Sequence, residues 1–165
     1  MKNLRTLVLI GQYDSFFFKV FKEVFQKEHH LRVLHLSATS VDSHSFMCSW
    51  VNHTHLRYLK LEGVHVELGS PSQVKSKFSH QILDGWLTSL QIIHLENCGQ
   101  GWILPCLKRF PFLTRLKLSN MEEVREVSVP SLEELVLVAM PDLENCFCTS
   151  LGDMNSRLRV LEIRG

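Results

Sequence analysis

The chain has no apolar run near the roughly 20 residues that a bilayer-crossing helix requires, so membrane insertion is not expected. The apolar stretch near the start, Leu7 to Ile10, is too short for a signal peptide. A Gly-x-x-x-x-Gly-Lys-Ser/Thr phosphate loop is missing, and Gly99-Gln100-Gly101 is too little for a dinucleotide site. Nothing resembles the sharp strand-to-helix turn that presents a nucleophilic serine. The sequence therefore predicts neither catalysis nor a cofactor. Cysteine is odd in number: Cys48, Cys98, Cys106, Cys146 and Cys148 leave at least one thiol unpaired. That usage points to a reducing, cytoplasmic setting. Cys48, His53 and His55 lie close together, as do Cys146 and Cys148, but neither group supplies four ligands at zinc-finger spacing. No metal site is expected. An excess of one charge is also missing: 18 basic residues face 17 acidic ones, a net +1 that gives no general pull toward nucleic acid or a membrane surface.

What is present is a phrase, Leu-x-x-Leu-x-Leu, that returns seven times. It begins at Leu4, Leu31, Leu56, Leu90, Leu113, Leu132 and Leu158, at intervals of 27, 25, 34, 23, 19 and 26 residues. On a helix, at about 100° per residue, the three positions scatter and build no apolar stripe. In an extended segment the last two leucines point the same way. Each copy is thus expected to be a short strand with its leucines inward, and stacked copies supply one another's core. Periods of roughly 20–29 residues with this phrase are the mark of leucine-rich repeats. The expected fold is an α/β solenoid, a horseshoe with a parallel concave sheet and an irregular convex side of helices and loops. Residues 1–165 read as one array of about seven repeats. Neither end carries a polar capping repeat, so the chain is expected to be a piece of a longer protein or a truncated product.

Between the strands, Phe17, Phe21, Val24 and Phe25 recur at helical spacing, predicting a helix over residues 15–28 with Lys19, Lys22, Glu23 and Lys27 solvated. Residues 40–55 read as another return segment, with Phe46, Met47, Trp50 and Val51 on one apolar side. The 34-residue interval holds Gly69-Ser70-Pro71-Ser72 and then Lys75 and Lys77, an exposed loop, before Ile82, Leu83, Trp86 and Leu87 restore a helical pattern. Pro105, Pro111, Pro130 and Pro141 mark later returns built from loops or single 3₁₀ turns.

Residues alternating with the strand leucines should project from the concave face. They are Val33, His35 and Ser37; Tyr58, Lys60 and Glu62; Ile92, His94 and Glu96; Arg115, Lys117 and Ser119; Glu134, Val136 and Val138. His35 and His94 are expected to be exposed there. A strip mixing charge with tyrosine and arginine suits protein recognition. Charge is also uneven along the chain. Residues 1–82 hold 10 basic and 6 acidic residues, whereas residues 83–165 hold 8 and 11.

Several phrases resemble the leucine-rich-repeat region of plant intracellular nucleotide-binding immune receptors of the coiled-coil class, as found in grasses. Leu31-Arg32-Val33-Leu34-His35-Leu36-Ser37 and His55-Leu56-Arg57-Tyr58-Leu59-Lys60-Leu61 are similar to early repeats of that family. The most specific run is Val129-Pro130-Ser131-Leu132-Glu133-Glu134-Leu135-Val136-Leu137, continuing through Met140-Pro141-Asp142-Leu143-Glu144. Leu158-Arg159-Val160-Leu161-Glu162-Ile163 resembles the next repeat. The asparagine that follows the strand in regular repeats is replaced by Gln12, Thr39, Val64, Cys98, Met121 and Met140, which predicts a less defined backbone ladder. The resemblance implies recognition of a pathogen effector or guarded host protein and inhibitory contact with a nucleotide-binding module. ADP and ATP would bind that module, which this sequence lacks. It further implies that Arg32, Arg57 and Lys60 form a basic clamp toward an acidic patch on the module. The alternative is the substrate-binding repeat region of an F-box-type ubiquitin-ligase adaptor, although no F-box segment is visible.

Overall fold

Each of the seven leucine phrases becomes a strand of one parallel sheet. The structure, a computed structural model, describes residues 4–11, 13, 16–17, 30–42, 53–67, 88–98, 107, 110–122, 124–129, 131–147 and 157–165, with backbone alone at 38–42, 65–67 and 147. Nine strands occur in it: β1 (Thr6–Ile10), β2 (Val33–Asp42), β3 (Tyr58–Glu67), β4 (Ile92–Glu96), β5 (Arg115–Ser119), β6 (Glu126–Ser128), β7 (Glu134–Val138), β8 (Asn145–Phe147) and β9 (Val160–Arg164). The main sheet is open, with the order β1-β2-β3-β4-β5-β7-β9. Neighbours in space are thus successive copies of the phrase, an arrangement compatible with a solenoid.

Register follows the leucines without a slip. Leu7, Leu34, Leu59, Ile93, Leu116, Leu135 and Leu161 stand side by side across the sheet, and so do Leu9, Leu36, Leu61, Leu95, Leu118, Leu137 and Ile163. A one-residue slip would turn every leucine of a strand to the opposite face, and burial of the column forbids it. The first leucine of each phrase precedes its strand, and Leu31, Leu56, Leu90, Leu113 and Leu132 are buried in the same core. The residue between supplies a carbonyl ladder. Arg57 N donates to Arg32 O at 2.8 Å, Gln91 N to Arg57 O at 2.9 Å, and Thr114 N to Gln91 O at 2.9 Å.

The sheet departs from expectation in four places. β2 and β3 run ten residues rather than five, continuing as Thr39↔Val64 through Asp42↔Glu67. Residues 40–42 are therefore strand, not return segment. The alternation Val64-His65-Val66-Glu67 opposite Thr39 and Val41 is rich in β-branched residues, which favour this extension. Second, the return side carries its own parallel pair, β6 with β8, in which Glu144 N and Asn145 N both donate to Arg125 O at 2.9 Å. That repeats the ladder of the main sheet at a second layer.

Third, three of the substituted asparagine positions belong to the core. Val64, Cys98 and Met121 turn inward and are buried. Burial pushes the Cys98 thiol pKa up, and its Sγ donates to the Leu61 and Glu96 carbonyls at 3.5 and 3.4 Å. One residue earlier, Gly63, Asn97, Asn120 and Ala139 occupy the left-handed region with φ between 47° and 63°. Asn97 N, Asn120 N and Ala139 N then donate to the last carbonyls of the adjacent strands, Ser119 O, Val138 O and Arg164 O. Glycine and asparagine tolerate this conformation, alanine less so. Fourth, the end leucines are not inward in the sense of being covered. Leu161 is 54% exposed and Ile163 66%, because β9 has no further strand beside it in the sheet to close the column. At the other edge Leu4, Leu7 and Leu9 are partly buried, and Tyr13 and Phe17 pack against the core with their rings 4.4 Å apart.

Helix is scarce among the described residues. Phe16 and Phe17 are helical and Leu107 lies in a 3₁₀ turn. The remainder of the helix expected over residues 15–28, the apolar side of Phe46, Met47, Trp50 and Val51, and the segments around Gly69–Lys77 and Ile82–Leu87 lie outside the described residues. So do Lys19, Lys22 and Lys27, Pro105 and Pro130, and Cys48, Cys106 and Cys148. No helix among the described residues is long and apolar enough to cross a membrane.

Candidate interaction face

Opposite the leucine columns, the alternate residues form three rows that cross the sheet. The first is Thr6, Val33, Tyr58, Ile92, Arg115, Glu134 and Val160. The middle row is Val8, His35, Lys60, His94, Lys117, Val136 and Glu162, and the third is Ile10, Ser37, Glu62, Glu96, Ser119, Val138 and Arg164. All fifteen sequence-chosen residues fall in these rows. Those of β1 and β9 were not among the chosen set, although the phrases at Leu4 and Leu158 place them by the same alternation.

Adjacent strands lie only about 4.7–4.9 Å apart, so side chains on this face lean on one another. His35 and His94, expected to be exposed, are half-buried for that reason. Ser119, expected to project, is 5% exposed, since its short side chain sits between the larger Glu96 and Val138. Arg115 is exposed, and the other chosen residues are half-buried.

Two groups of polar contacts organise the rows. Lys60 Nζ lies 3.2 Å from Glu62 Oε2, and His35 Nε2 lies 3.5 Å from the same oxygen. The hydrogen bond from Lys60 chiefly holds the Glu62 carboxyl below its usual range, with His35 adding to the effect. The second group joins Tyr58 to His94, whose ring stands edge-on to the phenol with centroids 5.3 Å apart. The Tyr58 hydroxyl and His94 Nδ1 are 3.1 Å apart. Burial pushes the His94 pKa down, and Lys117 and Lys60 on either side push it further. Burial and the two flanking ammonium groups thus favour the uncharged form of the ring.

A hollow of about 240 Å³ opens beside this second group, lined by His94, Arg115, Leu116, Lys117, Glu134, Val136, Val138, Glu162 and Arg164. Arg115 Nε pairs with Glu134 Oε2 at 3.3 Å, and Arg164 pairs with Glu162. A larger hollow of about 470 Å³ follows the left-handed turns, between Asn97, Asn120, Glu122, Ala139, Met140, Pro141 and Gly165. Glu122 is its one charged side chain, which leaves little there for polar recognition.

The expected clamp set does not form one cluster. Arg32 and Arg57 sit one residue ahead of β2 and β3 rather than on them, both exposed and in line with Arg5 ahead of β1. Lys60 lies on the open face with Glu62 as its partner. The edge outside the arginines carries His30 and His55, whose rings stack with centroids 6.2 Å apart. The three cations share no row because Arg32 and Arg57 precede their strands whereas Lys60 lies within β3. Among the described residues no group of three or more His, Cys, Asp or Glu side chains could hold a metal ion. Buried His53 and exposed His55 and Cys146 lie among them. No family model matches the chain, and neither does any curated protein or solved structure.

Proposed function

We propose that this chain is a leucine-rich-repeat recognition module of a plant intracellular immune receptor. Its open face receives a pathogen effector or guarded host protein in the cytoplasm, and its arginine edge meets a nucleotide-binding module of the same receptor. The chain acts by binding and carries no catalytic step or cofactor. One observation carries the reading: seven successive strands present charged, aromatic and apolar side chains in fixed rows on the face opposite a continuous leucine core. Such a face is preorganised, so little conformational entropy is lost on docking. Tyr58 and Arg115 belong to the side-chain types that most often anchor protein interfaces. The family likeness of the Pro130–Leu137 and Met140–Glu144 phrases supplies the immune context.

The test is a graft. The array replaces the corresponding region of a coiled-coil-class receptor, and cell death in leaves is scored with and without the cognate ligand of the donor array. The chimera is expected to stay silent alone and to respond to ligand. Tyr58→Ala with Arg115→Ala should abolish the response without causing death. Arg32→Glu with Arg57→Glu should release death without ligand, because exposed charges that hold a switch act together even at about 1 kcal/mol or less each. Full response after Tyr58→Ala with Arg115→Ala removes the face, and silence after the arginine reversals removes the edge contact.

A further inference from the structure

Within that recognition face the small hollow beside His94 has an uneven charge balance. Three cations line it, Arg115, Lys117 and Arg164, against two carboxylates, Glu134 and Glu162. Both carboxylates already have arginine partners. No carboxylate among the described residues pairs with Lys117. Its half-buried side chain therefore stands beside the His94 imidazole, with Val136 and Val138 on the same face. Tyr58 adds direction. Its hydroxyl and His94 Nδ1 are within hydrogen-bond distance, and in the tautomer in which the phenol O–H donates, the ring carries its proton on Nε2 and can donate it.

We infer that this hollow seats one aspartate or glutamate carboxylate of the protein ligand, with the Lys117 ammonium as counter-ion and the His94 N–H as a hydrogen-bond donor. The inference rests on reading the open face as the binding surface. One unpaired cation matches one carboxylate. A doubly charged phosphate would face Glu134 and Glu162 with too little compensating charge. Tyr58 acts as a positioning residue, since it fixes the ring that meets the ligand. The groups facing His94 are Tyr58 and Lys60 from β3, Glu96 on its own strand, Arg115 and Lys117 from β5, and Glu134 from β7. A carboxylate added above this set offsets the two lysines and raises the imidazole pKa.

The test uses the full chain and three capped tripeptides, Val-Glu-Val, Val-Gln-Val and Val-phosphoSer-Val, followed by NMR of the histidine rings and lysine side chains. The Glu peptide is expected to shift the His94 and Lys117 signals with saturation and to raise the His94 pKa, while the Gln peptide does neither. Lys117→Met, which keeps the stem and removes the charge, should weaken the Glu peptide by tenfold or more. Equal binding of the Gln peptide, or undiminished binding by Lys117→Met, overturns the inference. Tighter binding of the phosphorylated peptide overturns it in favour of a phosphate site. The graft separates the two proposals. A chimera whose ligand response survives Lys117→Met keeps the recognition face and loses the carboxylate seat. Peptide binding by a chain whose graft never responds to ligand keeps the seat and loses the receptor reading.

Discussion

Leu116 and Leu161 occupy the same position of the repeated phrase, two strands apart in one register column. The first is 1% exposed and the second 54%. Truncating either to alanine removes the same carbon atoms, so the difference between them reports the stacking alone. For Leu116 the lost groups are worth about 0.8 kcal/mol for each buried carbon. The void between Ile93 and Leu135 adds a cavity cost, which brings Leu116→Ala to about 2–5 kcal/mol. For Leu161 most of the side chain meets water in both states and no enclosed void forms, so Leu161→Ala should cost under about 1 kcal/mol. A domain has only about 5–15 kcal/mol of stability in total, so Leu116→Ala should shift the urea midpoint strongly. The assay is equilibrium denaturation followed by circular dichroism, comparing midpoints at matched slopes. Equal losses for the two variants would refute the stacked-column account, because no single array buries one and exposes the other at equal cost.

Two further outcomes follow from the same geometry. Ala139→Gly should stabilise the chain by about 0.5–1 kcal/mol, since a left-handed φ penalises alanine more than the added freedom of glycine costs the folded state. A lower melting temperature would contradict that assignment. Stability should also fall on acidification. His94 and Glu62 both have folded pKa values below their unfolded ones. Each therefore contributes stability that is full above its unfolded value, about 6.5 for the histidine and about 4.3 for the glutamate, and that is lost as pH falls through the folded value. His94→Gln should flatten the upper part of that decline, and a parent chain that gains stability between pH 7 and pH 5.5 would contradict it.

The leucines make the sheet legible in the sequence, because burial of an alternating column leaves one register free of exposed apolar side chains. Leu34, Leu59, Leu116 and Leu135 all lie where the phrase places them. The short pair β6 and β8 was not legible, since Glu126-Val127-Ser128 and Asn145-Cys146-Phe147 are too brief to show a period. The left-handed column was hidden for a different reason. Asn97 and Asn120 stand one position before the site where a regular repeat keeps its asparagine, a site that Cys98 and Met121 occupy here. Exposure on the open face was overestimated at His35, His94 and Ser119. Alternation gives the side a residue faces, whereas the size of its cross-strand neighbours decides how much water reaches it. The Tyr58–His94 contact joins residues 36 positions apart and needs both strands in place before it can be seen.

The claim that successive phrases stack as parallel neighbours, and so place distant residues in one row, is tested most directly by distance. Spin labels carried on unnatural azide side chains leave the native cysteines in place. One label goes at position 8, and its partner goes in turn at positions 117, 136 and 162, all in the middle row. Electron-electron resonance should then give about 19, 24 and 29 Å for four, five and six strand steps at about 4.8 Å each. Distances that rise in such equal steps, whatever the length of chain between the labels, are the predicted result. Distances that fail to increase from position 117 through 136 to 162, or distributions too broad to assign to a step, would contradict the parallel stack and the recognition face built on it.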